Sequence, residues 1–229
     1  MVRQCGTKQC RGGGKVTRGI RVRQDNLLRL LDLTRRRGPM AQVELARESG
    51  LRASTVSYLS RRLKRAGMVV EVGRGNAGPV GGKPSIYLGV DALYGSFTGA
   101  LIRAGEMTTA RVDFSGVATE PVTAPLDGVG SEEILRRLNR RVAADRDAAR
   151  QLGSRYLGVG VAVSSVVDHN GAIRPSADFP YELTDLPERL EEAAGEEAVV
   201  TVENDANATA FYEFHQTAEP SPSILSLVF

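Results

Sequence analysis

The chain has 229 residues, of which 41% are hydrophobic and 25% charged, enough for one medium globular domain and one small one. No stretch approaches the roughly 18 to 20 apolar residues of a membrane span, so we expect a cytoplasmic protein without a membrane partner. Residues 1–88 contain 19 Lys and Arg against 5 Asp and Glu, whereas residues 89–229 contain 11 against 22. The front of the chain therefore suits a polyanionic partner, and the back suits another task.

Residues 1–22 are predicted to be a disordered basic tail, because they are rich in Gly, Lys and Arg. The tail holds the only two cysteines, Cys5 and Cys10, with no second Cys or His pair nearby. We therefore expect reduced thiols, with neither a zinc site nor a disulfide framework, and no cofactor.

Residues 23–88 begin with three segments of helical period. RQDNLLRLLDLTRRRG and AQVELARESG predict the first two helices, and Gly50 stands where a tight turn requires a positive φ. LRASTVSYLSRRLKRAG predicts the third, with Ser54 as its N-cap and an inward stripe of Val56, Leu59 and Leu63. Two short helices joined by a glycine turn are typical of a helix-turn-helix.

The outward side of the third predicted helix carries hydroxyl groups and cations. From a helix in the major groove, hydroxyl and guanidinium groups can reach base edges, and a cationic helix end can neutralise phosphates. A merely solvated helix surface is the alternative, but the glycine turn and the all-positive face favour DNA binding. The predicted DNA-binding residues of this region are Arg52, Ser54, Thr55, Ser57, Tyr58, Arg61, Arg62 and Arg65.

Two apolar runs, near residues 68–72 and 85–90, then flank a Gly-rich stretch, which is typical of a β-hairpin wing. A phosphate-binding loop is the competing interpretation. It requires Ser or Thr after Gly-Lys, whereas Lys83 is followed by Pro84. Arg74 and Lys83 are therefore predicted to contact DNA from the wing.

From residue 89 the pattern becomes that of an α/β sheet. YLGVDALYGSFTGALI, ARVDFSGV, YLGVGVAVSSVVD and residues 198–202 predict strands, whereas SEEILRRLNRRVAADRDAARQLG and residues 185–194 and 207–214 predict helices. VENDANATA, residues 202–210, thus lies at the carboxyl end of a strand, where open α/β sheets bind ligands. Its polar residues form either a ligand site or a cap on the next helix.

The order GVGVAV, VVD, NGAI and VENDANATA, after a winged helix-turn-helix ending in GGKPS, resembles the ROK family of bacterial repressors and sugar kinases. The resemblance covers residues 25–229. Within the family, the chain looks more like the repressor branch, which includes the xylose and N-acetylglucosamine repressors. It implies that residues 89–229 are the N-terminal lobe of an actin-like, ribonuclease H-like sugar-sensing domain, truncated at its C-terminus. In the family's kinases the matching Asn and Asp bind sugar hydroxyls, roles that fall on Asn204 and Asp205.

Departures from the family pattern argue against catalysis. Kinase members place a Gly-Gly-Thr-Lys-like turn after an Asp, but this chain has Asp91-Ala92-Leu93-Tyr94-Gly95-Ser96, with side chains where polyphosphate would need bare backbone. Ser164-Ser165 replaces a Pro-Gly whose glycine lies near the sugar in family members. The sequence stops at SILSLVF, so the zinc-binding segment that follows this strand in the family has no counterpart here.

We therefore expect a non-enzymatic transcriptional regulator, a repressor, whose winged head binds operator DNA. The resemblance implies a homodimer and a sugar effector acting on a degenerate lobe. The alternatives are a sugar kinase that phosphorylates a hexose with ATP, and a decayed product without effector function.

Overall fold

The computed structural model describes residues 18–74, 85–119, 121–176 and 179–216, with side chains from Asp25 to Gly73 and from Ser85 to Phe214 within those ranges. Cys5, Cys10, Lys83 and the final SILSLVF lie outside the described residues, as does the side chain of Arg74. No helix in the described part of the chain is long and apolar enough to cross a membrane.

The head of the molecule consists of three helices and a small antiparallel sheet. The helices are α1 (Arg18–Arg37), α2 (Gln42–Ser49) and α3 (Ala53–Arg65), and the strands are β1 (Met40–Ala41), β2 (Val69–Arg74) and β3 (Ile86–Val90) in the order β1-β3-β2. Leucines from all three helices and from β3 bury their side chains together: Leu30, Leu45, Leu59, Leu63 and Leu88. The predicted hairpin is confirmed, with Val69 paired to Val90 and Arg74 to Ile86.

Two details of the head differ from the sequence-based expectation. Helix α1 begins at Arg18, inside the predicted tail, because Arg, Gln and Val are compatible with helix and no Pro or turn sequence interrupts them. Helix α3 begins at Ala53, so Ser54 is not its N-cap as predicted. The N-cap is Arg52, which makes no side-chain capping bond, because only Gly50, Leu51 and Arg52 separate α2 from α3.

The lobe is built on a five-stranded sheet in the order β10-β7-β4-β5-β6. Its strands are β4 (Gly95–Arg103), β5 (Glu106–Asp113), β6 (Val122–Pro125), β7 (Arg155–Val163) and β10 (Val199–Asn204). Strand β7 is parallel to β4 and β10, whereas β4, β5 and β6 form an antiparallel meander. The small strands β8 (Val166–Val167) and β9 (Ile173–Arg174) pair with each other, and the helices are α4 (Ser131–Gln151), α5 (Leu186–Ala194) and α6 (Asp205–Gln216).

The core of the lobe lies between the sheet and helices α4 and α5. Ile134, Leu138 and Val142 of α4 are fully buried against sheet residues such as Val161 and Val163. This burial follows from the sequence, because α4 repeats apolar residues at helical spacing and β7 is nearly continuously apolar.

A buried polar network ties α4 to the sheet. Asp145 accepts a hydrogen bond from the Thr98 hydroxyl at 2.8 Å and from the Arg141 Nε at 2.9 Å, and the Tyr156 hydroxyl donates to Thr98 at 2.9 Å. Burial, followed by the nearby Asp145 carboxylate, raises the pKa of Tyr156 to about 12 despite the opposing hydrogen bond with Thr98.

The head and the lobe meet through a short turn of 3₁₀ helix, Ala92–Tyr94, between β3 and β4. The Asp91 N–H donates to the Met68 carbonyl at 3.0 Å, and the Phe114 N–H donates to the Ala92 carbonyl at 3.4 Å. Beside this turn, α1 faces the sheet across a cavity of about 400 Å³ that includes Leu31 and Phe97. Two backbone hydrogen bonds therefore join the turn to its neighbours, and both regions line the cavity beside it.

Candidate nucleic-acid interface and effector site

The turn before α3 sets the angle at which that helix leaves the head core. Gly50 has φ 67° and ψ 13°, so the predicted left-handed turn is confirmed. Most residues with a Cβ would meet backbone strain at this φ. At the start of α2, the Glu44 carboxylate accepts a hydrogen bond from the Ala41 N–H at 2.9 Å. Both ends of α2 are thereby fixed, and α3 is held on a rigid support.

Helix α3 separates its buried residues from its polar ones. Val56, Leu59, Ser60 and Leu63 are buried on one side. The opposite side is accessible to solvent and has no carboxylate in its sequence. Every predicted contact residue from Arg52 to Arg65 is exposed or half-exposed, namely Arg52, Ser54, Thr55, Ser57, Tyr58, Arg61, Arg62 and Arg65. The helix therefore presents hydroxyl, phenol and guanidinium groups together.

Contacts within α3 hold part of this surface in place. The Arg62 guanidinium carbon lies 6.0 Å from the centre of the Tyr58 ring, and the Arg61 Nε donates to the Ser57 carbonyl at 3.3 Å. Lys64 forms an ion pair with Glu71 on β2. The cations are thus partly ordered before any partner binds, which lowers the entropy cost of binding.

The described part of the wing consists of its two paired strands, β2 and β3. Arg74 ends β2, opposite Ile86. The tip between residues 75 and 84, including Lys83, lies outside the described residues. Contacts of Arg74 and Lys83 with DNA therefore stay a prediction.

One polar residue beside α3 was missed by the sequence analysis. Asn26 on α1 shares a concave surface of about 420 Å³ with Ser54, Thr55, Tyr58 and Leu59. In the sequence, Asn26 is one polar residue before a leucine pair, and nothing in that pattern distinguishes it from a solvated helix position.

The polar cluster VENDANATA lies at the carboxyl edge of the sheet, as predicted, but without a loop. Strand β10 runs through Asn204, and α6 begins at Asp205. The Asn204 Oδ1 accepts from the N–H groups of Ala206 at 3.0 Å and Asn207 at 3.2 Å, as an N-cap does. Its Nδ2 donates to the Ser165 carbonyl at 3.0 Å. Most of the hydrogen-bonding capacity of Asn204 is therefore used within the fold.

Asp205 is the less occupied member of the predicted pair. Its Oδ1 accepts from the Ala206 N–H at 2.9 Å, and its Oδ2 lies 3.9 Å from the Arg103 Nε. The side chain of Asp205 is 12% exposed, and that of Arg103 is 43% exposed. The sequence analysis missed Arg103, which belongs to this edge only because β4 and β10, parallel to β7 and on either side of it, end at the same edge of the sheet.

Ser165 has a structural role where the family pattern has a glycine. Its hydroxyl donates to the Arg174 carbonyl at 2.7 Å, which fastens the end of β7 to β9, and its carbonyl holds Asn204. Nearby, the Asp168 carboxylate accepts from the N–H groups of Asn170 and Ala172, which hold the pKa of Asp168 below its usual value. This part of the edge is closed by its own hydrogen bonds.

The turn Asp91–Ser96 is also closed. The Leu93 N–H donates to the Asp91 Oδ1 and the Tyr94 N–H to the Asp91 carbonyl, both at 3.0 Å. The Tyr94 ring packs on Phe114 with centroids 4.6 Å apart. A Cβ at Gly95 would lie 2.5 Å from the Leu157 Cδ1, because Leu157 covers the glycine. Two N–H groups of the turn are thus already bonded, and side chains cover its surface.

Arginines on α4 form no second basic surface of this kind. Glu133 pairs with Arg136 and Arg137 at 2.9 Å and with Arg140 at 3.3 Å, and the hydrogen bond from Arg137 is the main cause of its lowered pKa. Arg141 pairs with Asp145. These four arginines are therefore paired with acids of their own helix.

Comparisons with known proteins agree with this architecture. A model of winged helix-turn-helix DNA-binding domains matches residues 23–70. The xylose repressor of Staphylococcus xylosus is 22% identical over 184 residues, which is 76% of this chain and 44% of that protein. The crystal structure of a ROK family transcriptional regulator, a homolog of the E. coli MLC protein, superposes with a TM-score of 0.62 at 20% identity over 84% of this chain.

The chain spans about half the length of these two relatives, since it covers 48% of the ROK regulator. A ROK hexokinase from Thermus thermophilus matches 52% of this chain and 38% of its own at 28% identity, with a TM-score of 0.39 that is too low to bear on function. The residues matched by the family model coincide with α1, α2, α3 and the start of β2. Residues 23–70 therefore form a winged helix-turn-helix DNA-binding domain, and the chain has the fold of ROK family transcriptional regulators.

Proposed function

We propose that the protein is a transcriptional repressor whose head binds double-stranded operator DNA through α3. One observation carries the proposal: the exposed side of α3 combines hydroxyl groups and cations without a carboxylate, opposite a buried apolar stripe. A helix of this kind places its N-terminal residues against base edges in the major groove and its cations near phosphates. In this arrangement Thr55, Ser57 and Tyr58 read bases.

The remaining predicted contacts supply affinity. Arg52, Ser54, Arg61, Arg62 and Arg65 neutralise or hydrogen-bond the DNA backbone, and Arg74 and Lys83 do the same from the wing. A homodimer would place two copies of α3 about one helical turn of DNA apart, so that the operator is a near-palindrome.

We further propose that a sugar controls this binding from the carboxyl edge of the lobe. The support is the xylose repressor among the relatives and the exposed position of Arg103 beside Asp205. A sugar hydroxyl can replace Arg103 as the partner of Asp205, whereas Asn204 mainly shapes the edge by capping α6. A panel of xylose, glucose and N-acetylglucosamine tests this through the melting temperature. A shift that persists in Asp205→Ala would remove Asp205 from the site.

We infer that the lobe does not transfer phosphoryl groups. Phosphoryl transfer depends on positioning and charge stabilisation, and the turn Asp91–Ser96 offers neither open N–H groups nor a bare backbone. Sugar-dependent release of ADP that disappears in Asp205→Asn would establish the kinase alternative.

The central experiment is selection of bound fragments from genomic DNA, followed by titration of the best fragment against the double variant Arg61→Gln, Arg62→Gln. Losing two phosphate contacts should lower affinity about thirtyfold at 0.15 M salt and flatten the log–log salt dependence by about two units. The matched control is Arg136→Gln, Arg140→Gln, which removes the same charge from α4. Equal losses in both double variants would reduce the effect to net charge, and failure of the wild type to retain any fragment would end the proposal.

A further inference from the structure

The cavity between the head and the lobe has walls of apolar side chains from both regions. It measures about 400 Å³. Its apolar lining comes from α1, β3, β4, β5 and the loop after β5, and consists of Leu28, Leu31, Val90, Phe97, Val112 and Phe114. None of these six residues is fully buried, and Leu28 is 61% exposed. Apolar surface of the head and of the lobe therefore remains in contact with solvent at this place.

The lobe side of the cavity lies on the face of the sheet opposite α4. Thr98 points toward α4, because its hydroxyl donates to Asp145. Phe97 points to the other face, since successive side chains of a strand alternate. It is paired directly with Val112 of β5, so the two residues form one apolar wall. Phe97 stands six residues before Arg103 on β4, or about 20 Å at the rise of a strand, so this wall is distinct from the carboxyl edge.

The charged groups that border the cavity already have partners within the protein. Asp32 pairs with Arg35 at 3.5 Å and also with Arg36. The Asp113 Oδ1 accepts three hydrogen bonds from the loop that follows β5, at 2.6 to 3.1 Å. A Cβ at Gly116 would lie 3.5 Å from the Arg35 Nη1, so the guanidinium group closes one end of the cavity against this loop. An uncharged ligand therefore suits the cavity better than an ion does.

Both walls of the cavity lead to supports of α3. The Phe114 ring packs on the Tyr94 ring with centroids 4.6 Å apart. Tyr94 lies beside Gly67, where an added Cβ would stand 3.7 Å from the Tyr94 Cδ2, and Gly67 follows the last residue of α3 by two positions. On the opposite wall, Leu31 packs against the head core that holds α3. A molecule between Leu31 and Phe114 would thus contact the head and the lobe at once.

We propose that this cavity binds an uncharged, mainly apolar small molecule that acts as a second effector, a role that rests on the proposed function of the head. Small-molecule sites are typically clefts of roughly 300 to 1,000 Å³ with apolar walls and few polar groups, often between domains. The affinity comes from removing the exposed apolar walls from water. Because both regions line the site, the ligand favours the arrangement of head and lobe that keeps the walls at this spacing.

The uncharged fluorescent probe N-phenyl-1-naphthylamine tests the site in the full chain, since its emission rises when it leaves water. Leu28→Asp should lower probe affinity at least about tenfold, because it places a carboxylate in the apolar wall. Leu28→Ala, which only removes apolar contact, should lower affinity about fivefold. The matched control is Val43→Asp, at a 72% exposed position of α2 outside the cavity lining. It should change probe affinity by less than about twofold, and all variants should keep the melting temperature of the wild type.

The charge of the ligand is tested with 8-anilinonaphthalene-1-sulfonate, which adds a sulfonate to the same aromatic amine. We expect it to bind at least about fivefold more weakly than the uncharged probe, because the cavity offers no unpaired cation to a sulfonate. Equal or tighter binding of the sulfonate would overturn the assignment of an uncharged ligand. Displacement of the uncharged probe by xylose or glucose would overturn it as well, since the cavity would then be a sugar site.

The effector role is tested by measuring probe affinity with and without a saturating amount of the selected operator fragment. Coupling between two sites is reciprocal, so probe and operator should change each other's affinity by the same factor, about fivefold or more, and Leu28→Asp should remove this coupling. Equal probe affinity of Leu28→Asp and Val43→Asp would overturn the site. Probe binding that leaves operator affinity unchanged would overturn the effector role. If the wild type binds the probe but no DNA, the proposed function fails and the cavity site stands.

Discussion

The head and the lobe use arginine in opposite ways. In the described part of the head, Asp32, Glu48 and Glu71 form ion pairs. Their cations are on α1, on α2 or near the C-terminal end of α3: Arg35, Arg37, Arg47 and Lys64. None of the ion pairs found there involves Arg52, Arg61, Arg62 or Arg65. In the lobe, Glu133 alone pairs with three arginines of α4, and Asp145 pairs with a fourth.

This difference shows why counts of charge are a poor guide to an interface. Both α3 and α4 carry four cations in a short span, but α4 places Glu133 and Asp145 within one or two turns of its arginines. The paired arginines are neutralised within the lobe. Cations without nearby carboxylates produce a positive surface potential that can attract an anionic partner. The position of the acids therefore distinguishes the two helices.

The comparison is sharpened most by removing the buried acid of the lobe. Asp145→Ala leaves the Arg141 guanidinium and the Thr98 hydroxyl without their shared acceptor at a site where the Asp145 side chain is 8% exposed. We expect a loss of about 3 to 5 kcal/mol in the free energy of unfolding of the lobe, measured by urea denaturation. Asp147→Ala, on the same helix but 60% exposed, is the control and should change stability by less than about 0.5 kcal/mol. Equal effects would mean that the network contributes nothing specific.

The head should show the reverse behaviour, with a change in recognition and little change in stability. Thr55→Ala removes a hydroxyl from the exposed side of α3. We expect the difference in binding free energy between the selected operator and its single-base variants to fall by about 1 to 3 kcal/mol at the affected base pair. Competition between operator and single-base variants measures this. Ser57 and Tyr58 are examined the same way, with Tyr58→Phe retaining the ring on which Arg62 lies. Unchanged preference in all three would limit α3 to backbone contacts.

Variants of Asn204 test whether this residue, which was predicted to bind a sugar, stabilises the lobe. Asn204→Ala removes the cap of α6 and the bond to the Ser165 carbonyl, so the lobe should lose about 1 kcal/mol of unfolding free energy. Asn204→Asp keeps the capping oxygen and should recover most of that loss. If both variants are as stable as the wild type, capping is not what Asn204 contributes.

Local sequence pattern predicted the head well because its signals are short in range. The glycine turn at Gly50, the buried stripe of α3 and the hairpin all follow from residues within a few positions of each other. The start of α3 was wrong by two residues because Ser54 is a good cap by type, whereas the tight turn decides where the helix begins. Strand β1 was missed because two residues carry no period.

The lobe was predicted in outline but not in its site. Pattern could place VENDANATA at the end of a strand, yet it could not pair Asp205 with Arg103, which lies about a hundred residues earlier and reaches it only through strand order. Nor could it show that Ser165 fastens β7 to β9 or that Tyr94 packs on Phe114. Contacts of this range depend on the fold, so no local pattern contains them.

The smallest expected effect comes from comparing Tyr156, a partly buried tyrosine of the lobe, with Tyr58, an exposed tyrosine of the head. Burial raises the pKa of Tyr156 to about 12 in the folded protein, against about 10 for an unfolded chain. The folded state therefore holds the proton more tightly, so the stability from the neutral phenol is fully present below pH 10 and is lost as the pH rises toward 12. The difference in unfolding free energy between wild type and Tyr156→Phe should shrink by roughly 1 kcal/mol between pH 9 and pH 11. Tyr58→Phe, which removes a phenol at a 47% exposed position of the head, is the matched control. Identical pH profiles for the two variants would show that Tyr156 ionises without cost and that the network around Asp145 is open to water.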